Sequence, residues 1–235
     1  MIRTLIWFIY FWGSLLYLGP QLYKANRMDA DEQMRFADKM ARKWSMSLLN
    51  LAGCEVNVLG GEKIPDDRAV LYVCNHQSNF DIPLMIAYMP KTKGFMAKIE
   101  TLKLPMVRSW MKHMRCVFMD RSDMRKQVKS ISEGIKILKD GQSLVLFPEG
   151  TRSPDGELGE FKAGGLKLAT KSGATIVPVT INHSKEIMKK GSLLIRPAKV
   201  TLTVNDPIEI TDEMNRDTIT LTESIKSIIE SALER

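Results

Sequence analysis

Val70-Leu71-Tyr72-Val73-Cys74-Asn75-His76-Gln77-Ser78-Asn79-Phe80-Asp81 is the stretch whose reading decides the fold. Its first five residues are apolar or aromatic without a break, the texture of a strand buried on both faces. A histidine closes the strand, and an apolar helical pattern follows over residues 82–89. In a parallel sheet flanked by helices, that point is the carboxyl edge, where substrates bind. The same grammar returns downstream, where the apolar run 144–147 opens into Pro148-Glu149-Gly150-Thr151-Arg152-Ser153.

Working outward, strand patterns cover 55–59, 70–74, 144–147, 175–181, 193–195 and 199–204. Helical patterns cover 82–89, 125–139, 165–171 and 218–233, with Asp140-Gly141 stopping the second. This alternation predicts an α/β fold, a mostly parallel mixed sheet flanked by helices. Residues 52–235 form that domain, and residues 1–51 precede it as two helices. Within the first, 5–18 is uncharged and aromatic, bracketed by Arg3 and by Lys24 and Arg27. Its length approaches that of a bilayer span, and its Trp and Tyr rings favour the headgroup level. We read it as a retained membrane anchor, spanning or lying in the interface, in preference to a cleaved signal. A second helix begins near Asp29, with Phe36, Met40, Trp44, Leu48 and Leu51 at helical spacing and a basic flank of Arg35, Lys39, Arg42 and Lys43. It either packs on the first as a membrane-associated hairpin or lies on an anionic surface.

At 235 residues the chain suits one α/β domain with a modest appendage. Hydrophobic content of 44% and charged content of 26% exclude disorder as the default. A net charge of +7 calls for an anionic partner. Aromatics concentrated at the N-terminus, away from the basic residues, argue against nucleic acid. Cys54, Cys74 and Cys116 lack any Cys-x-x-Cys pair and read as reduced core thiols of a cytoplasmic compartment. With His76, His113 and His183 scattered, no metal site is expected.

The chemistry is concentrated in the two motifs. A carboxylate five residues after His76 can fix its tautomer and raise the basicity of the free nitrogen, as deprotonation of a hydroxyl requires. Ser78-Asn79-Phe80-Asp81 reads equally as a helix-capping box. In the second motif, Gly150 lets backbone N–H groups approach a ligand, and Arg152 offers the fork that matches phosphate. Arg121, closing the run 116–121, is a second guanidinium for the same anion.

Asn-His-x-x-x-x-Asp followed by Phe-Pro-Glu-Gly-Thr-Arg-Ser resembles the glycerolipid acyltransferases, and among them most closely the bacterial lysophosphatidate acyltransferases. Phe118-Met119-Asp120-Arg121 and Ile176-Val177-Pro178-Val179 match two further blocks, so the likeness runs from about residue 51 to 207. The resemblance implies that His76 is the general base and Asp81 its partner. Glu149, Gly150, Thr151, Arg152 and Arg121 would then form the acceptor set, with Lys98 beside it. It implies acyl transfer from acyl-coenzyme A or acyl carrier protein to a lysophospholipid, with no cofactor, at the cytoplasmic face of a membrane. One position departs from the family: Arg115 stands where a glycine usually opens the arginine-bearing block. Two other readings remain open at this point. Water as acceptor would make the same His/Asp pair an esterase or thioesterase, and a non-catalytic lipid-binding module would explain charge and anchor alone.

Overall fold

Val70–Cys74 feeds two cores at once: Val70, Tyr72 and Cys74 face one apolar cluster, Leu71 and Val73 the other. Period-two alternation explains why every residue of this strand is buried. In the structure, a computed structural model that describes residues 1–153 and 157–234, it is one of seven strands. In chain order the elements are α1 (Ile2–Ala25), α2 (Ala30–Ala52), β1 (Cys54–Leu59), β2 (Val70–Cys74), α3 (Asp81–Tyr88), β3 (Lys93–Lys98) and α4 (Pro105–His113). Then come β4 (Val117–Met119), α5 (Met124–Lys139), β5 (Ser143–Leu146), α6 (Lys167–Ser172), β6 (Thr175–Asn182) and α7 (Ser184–Ile187). The last are β7 (Ala198–Val204), α8 (Asp212–Arg216) and α9 (Thr218–Ser231).

The sheet runs β1-β7-β6-β2-β5-β3-β4. Every neighbouring pair is parallel except β6 and β7. The mostly parallel mixed sheet read from the sequence is therefore the observed one. Residues of α1 to α4 pack on one face, and α5, α6 and α9 on the other. Asp29 and Asp123 cap α2 and α5 by accepting backbone N–H groups of the first turn.

Five elements, β3, α4, β4 and the short helices α7 and α8, escape the sequence patterns. β3 opens with Lys93-Gly94 and so looks like a turn, yet Lys93 is 1% exposed. Gly94 is required because a Cβ there would collide with the Arg115 carbonyl. α4 and the short β4 complete this edge. The expected strand at 193–195 is absent: the Ile195 N–H donates to Thr4 Oγ1 and the Arg196 N–H to the Ile187 carbonyl, so this backbone is satisfied outside any ladder. Arg115 resolves the departure from the family pattern. Its φ is +53°, so the turn that glycine usually supplies is kept by an arginine in the left-handed region, at a cost of roughly 1–2 kcal/mol.

α1 continues through Pro20 to Ala25. Its inward face is tied to the rest of the chain: Trp7 Nε1 donates to the Leu48 carbonyl at 3.0 Å, and the Trp7 ring lies 5.3 Å from that of Phe80. Arg3 donates to the Ala52 carbonyl. The outward face presents Ile2, Leu5, Ile6, Ile9, Trp12, Leu16 and Tyr17 to the surroundings. Among the described residues this is one helix long and apolar enough to cross a membrane.

Lys93 caps the end of α3, its ammonium donating to the carbonyls of Met89 and Lys91 at 2.8 and 2.9 Å. Burial, aided by the Arg42 charge and opposed by Asp38, pushes this lysine down to about 7. The unfolded chain holds the same proton up to about pH 10.4, so between those limits the unfolded state binds more protons and stability rises with pH. Below about 7 the penalty is complete. In urea unfolding at pH 7 and pH 9, the native chain should gain about 1 kcal/mol per pH unit relative to Lys93→Met. Parallel pH dependences would show that the ammonium stays charged in the fold.

Candidate active site

The carboxyl ends of β2, β5 and β6 converge on His76. Asn75 locks the first of these ends, its side chain donating to the Ile181 carbonyl at 2.9 Å and accepting the Ile181 N–H at 2.7 Å. The loop that leaves β2 is thus fixed to β6 before the histidine is reached. His76 Nδ1 lies 2.7 Å from Asp81 Oδ2, and its ring stacks on Phe147 at 4.3 Å.

Asp81 is fully buried in the first turn of α3. Its Oδ2 also accepts the N–H groups of Gln77 and Ser78, at 2.7 and 2.8 Å, and its Oδ1 accepts the hydroxyl of Ser184. Every contact donates to the carboxylate. That pattern places a hydrogen on Nδ1 of His76 and leaves Nε2 with its lone pair. The capping and catalytic geometries are not alternatives here. Ser78 does not cap α3 in the usual way, since its hydroxyl donates to the Met188 carbonyl, while Asp81 orders the loop backbone and holds the imidazole with the same oxygen.

The turn after β5 grips the same loop. The His76 N–H donates to Glu149 Oε1 at 2.7 Å, the Gly159 N–H donates to Oε2 at 3.0 Å, and the Ser153 N–H donates to the His76 carbonyl at 2.8 Å. Burial raises the Glu149 carboxyl above the usual range, against the lowering effect of those two backbone donors. Glu149 thus faces inward onto backbone. Gly150 sits at φ +70°, and Arg121 crosses directly over it, donating to its carbonyl at 2.6 Å. Thr151 is exposed and Arg152 half-buried on the same turn. Lys98 ends β3 in the open, paired across the ladder with Met119, two residues before Arg121.

Hydrogen bonds therefore join His76, Asp81, Glu149, Gly150 and Arg121 into one constellation, with Thr151 and Arg152 on its turn. Lys98 shares the sheet edge without a described contact to the others. Sequence reading missed Ser184, which follows β6 without any local motif, and Lys190, whose ammonium donates to the Arg152 carbonyl at 2.7 Å. Among the described residues no three His, Cys, Asp or Glu side chains gather as metal ligands.

A histidine with one nitrogen held by a buried carboxylate thus lies beside a guanidinium-crossed turn at the mouth of an α/β sheet. The chain belongs to the acyltransferase family, whose sequence model matches residues 55–182. It is 37% identical over 68% of its length to a probable 1-acyl-sn-glycerol-3-phosphate acyltransferase of Mycoplasma pneumoniae, covering 64% of that protein. It is 34% identical over 74% of its length to a chloroplast 1-acyl-sn-glycerol-3-phosphate acyltransferase of Arabidopsis thaliana, covering 49% of that protein. The chain thus spans about half to two thirds of these relatives. The crystal structure of the 1-acyl-sn-glycerophosphate acyltransferase of Thermotoga maritima superposes with a TM-score of 0.82 at 29% identity, over 100% of this chain and 97% of that one.

Proposed function

We propose that this chain transfers a fatty acyl group from an acyl thioester to the free sn-2 hydroxyl of lysophosphatidate, forming phosphatidate. The observation that carries the reading is the open Nε2 of His76, backed by buried Asp81 and set beside the Arg121–Gly150 crossing. His76 Nε2 takes the proton of the acceptor hydroxyl as that oxygen attacks the thioester carbonyl. The C–S bond then breaks, the thiolate leaves, and the imidazolium returns the proton to sulfur. A thioester is already activated, so no acyl-enzyme is needed. Arg121 and Arg152, with Lys98 and Thr151 at the rim, hold the phosphate and so set the hydroxyl against the base. Glu149 and Gly150 serve by shaping the turn.

The thioester is carried by coenzyme A or acyl carrier protein, and no further cofactor takes part. Residues 1–51 seat the protein on a cell membrane with anionic lipid, catalytic residues 52–235 at its cytoplasmic face. The outward apolar face of α1 and the net charge of +7 support this.

The test is an assay of the protein with lysophosphatidate, lysophosphatidylethanolamine and lysophosphatidylglycerol, each with both donors. Arg152→Ala and Arg121→Ala should raise the acceptor KM about 10-fold or more, the worth of a charge-assisted hydrogen bond, and leave the donor KM in place. Thioester hydrolysis that is undiminished when acceptor is present, or a loss confined to the donor, would replace transfer by the thioesterase reading.

A further inference from the structure

We infer that Ser184 is a positioning residue for the base, the third member of a Ser184–Asp81–His76 relay whose hydroxyl fixes the carboxylate that orients the imidazole. The inference deepens the acyl-transfer reading and rests on it for the role of His76. Ser184 is completely buried, and its hydroxyl donates to Asp81 Oδ1. The other carboxylate oxygen, Oδ2, carries all three nitrogen contacts, from His76, Gln77 and Ser78. The serine hydroxyl engages the remaining oxygen, Oδ1, so it sets the rotation of the carboxyl plane and thereby the direction in which Oδ2 meets Nδ1.

The local backbone is built to deliver this hydroxyl. Asn182 ends β6, and its side chain donates to the Ala232 carbonyl and accepts the Glu234 N–H. His183 follows at φ +65°, a conformation few side chains adopt, and turns the chain so that the next residue points into the core. The His183 ring is held between Glu186 and Glu234, on the outer side. Three consecutive residues, two anchored to the C-terminal segment and one to the catalytic carboxylate, thus fix the relay from behind.

The electrostatic consequence has a definite sign. A hydroxyl that donates to the carboxylate spreads its charge and tempers its pull on the Nδ1 hydrogen. Without that donor the carboxylate holds an imidazolium more strongly, so His76 binds its proton up to higher pH. Among the described residues, titratable groups beside the pair are Glu149, whose carboxyl accepts the His76 N–H from the turn after β5, and Cys74, buried beside Asp81 at the end of β2. Neither contacts Ser184, and both stay in place when it is changed.

Ser184→Ala should lower kcat about 10-fold and move the acidic limb of the kcat profile up by about half a pH unit, while both KM values stay within twofold. Ser184→Thr, which keeps the hydroxyl, should restore the limb to its native position. The accompanying measurement is NMR titration of the His76 ring in both variants and in the native protein, which needs no turnover. A His76 titration shifted upward in Ser184→Ala and restored in Ser184→Thr sustains the relay, even if lysophosphatidate proves the wrong acceptor. A melting temperature lowered in Ser184→Ala with an unshifted His76 titration and pH profile would overturn it and leave the serine as packing.

Discussion

His76→Ala should lower acyl transfer by about 10²–10⁴-fold or more, because the mechanism proposed above then loses its positioned general base. The protein should remain folded. The imidazole is partly open on one side and stacked on Phe147 on the other, and the main-chain contacts of residue 76 to Glu149 and Ser153 do not involve the side chain. Asp81→Asn should be nearly as damaging for a different reason. An amide oxygen turned toward Gln77, Ser78 and His76 still accepts their hydrogens, so the loop survives, but no negative charge faces the imidazolium as it forms. Stopped-flow and steady-state turnover beside thermal melting separate these effects. An Asp81→Asn protein that melts lower yet turns over normally would reduce the carboxylate to a loop fastener.

Gly150→Ala is the second change expected to act strongly. At φ +70° a side chain is strained by roughly 1–2 kcal/mol, and here the added Cβ would also fall onto the Arg121 guanidinium. The arginine must leave the Gly150 carbonyl, so the turn loosens and the proposed anion site loses its crossing. Gly173→Ala supplies the control. Its φ is +77°, yet open space surrounds it, so it carries the backbone strain alone. Both variants should lose about 1 kcal/mol of stability or more, but Gly150→Ala alone should raise the acceptor KM, by about 10-fold. Equal kinetics for the two variants would mean that Arg121 does not depend on the glycine for its place.

The strands legible in the sequence are those with mostly apolar runs in the middle of the sheet, and β2, β5 and β6 show why: each is buried along its whole length and draws most of its residues from the apolar set. β3 hides because a lysine opens it, a residue type almost never buried, and only the carbonyls at the end of α3 make that tolerable. The reverse error at 193–195 arose from an apolar run whose backbone is tied to α1, through the Ile195 N–H and Thr4, rather than to a neighbouring strand. In the site, the proximity of His76 and Asp81 was readable because only the short loop 77–80 separates them before α3 begins. Ser184 and Glu149 act across distant parts of the chain, through contacts no spacing encodes, and Glu149 looked like a ligand-facing acid until its backbone donors were visible.

The Asn75–Ile181 and Ser184–Asp81 contacts close over 106 and 103 residues, and β1 finds its only parallel neighbour, β7, later still. At about 5–20 residues per second of synthesis, β1 waits roughly 10–30 s for that neighbour to be made. The α1–α2 pair needs no such delay, since Trp7 and Leu48 are 41 residues apart. The nascent chain therefore has its apolar hairpin assembled, and its greasy outer face presented, well before the histidine is oriented. Under the function proposed above, birth order alone would bring the apolar hairpin to lipid before the His76–Asp81 pair is built, and a thioester would meet the assembled base only once the last strands are out.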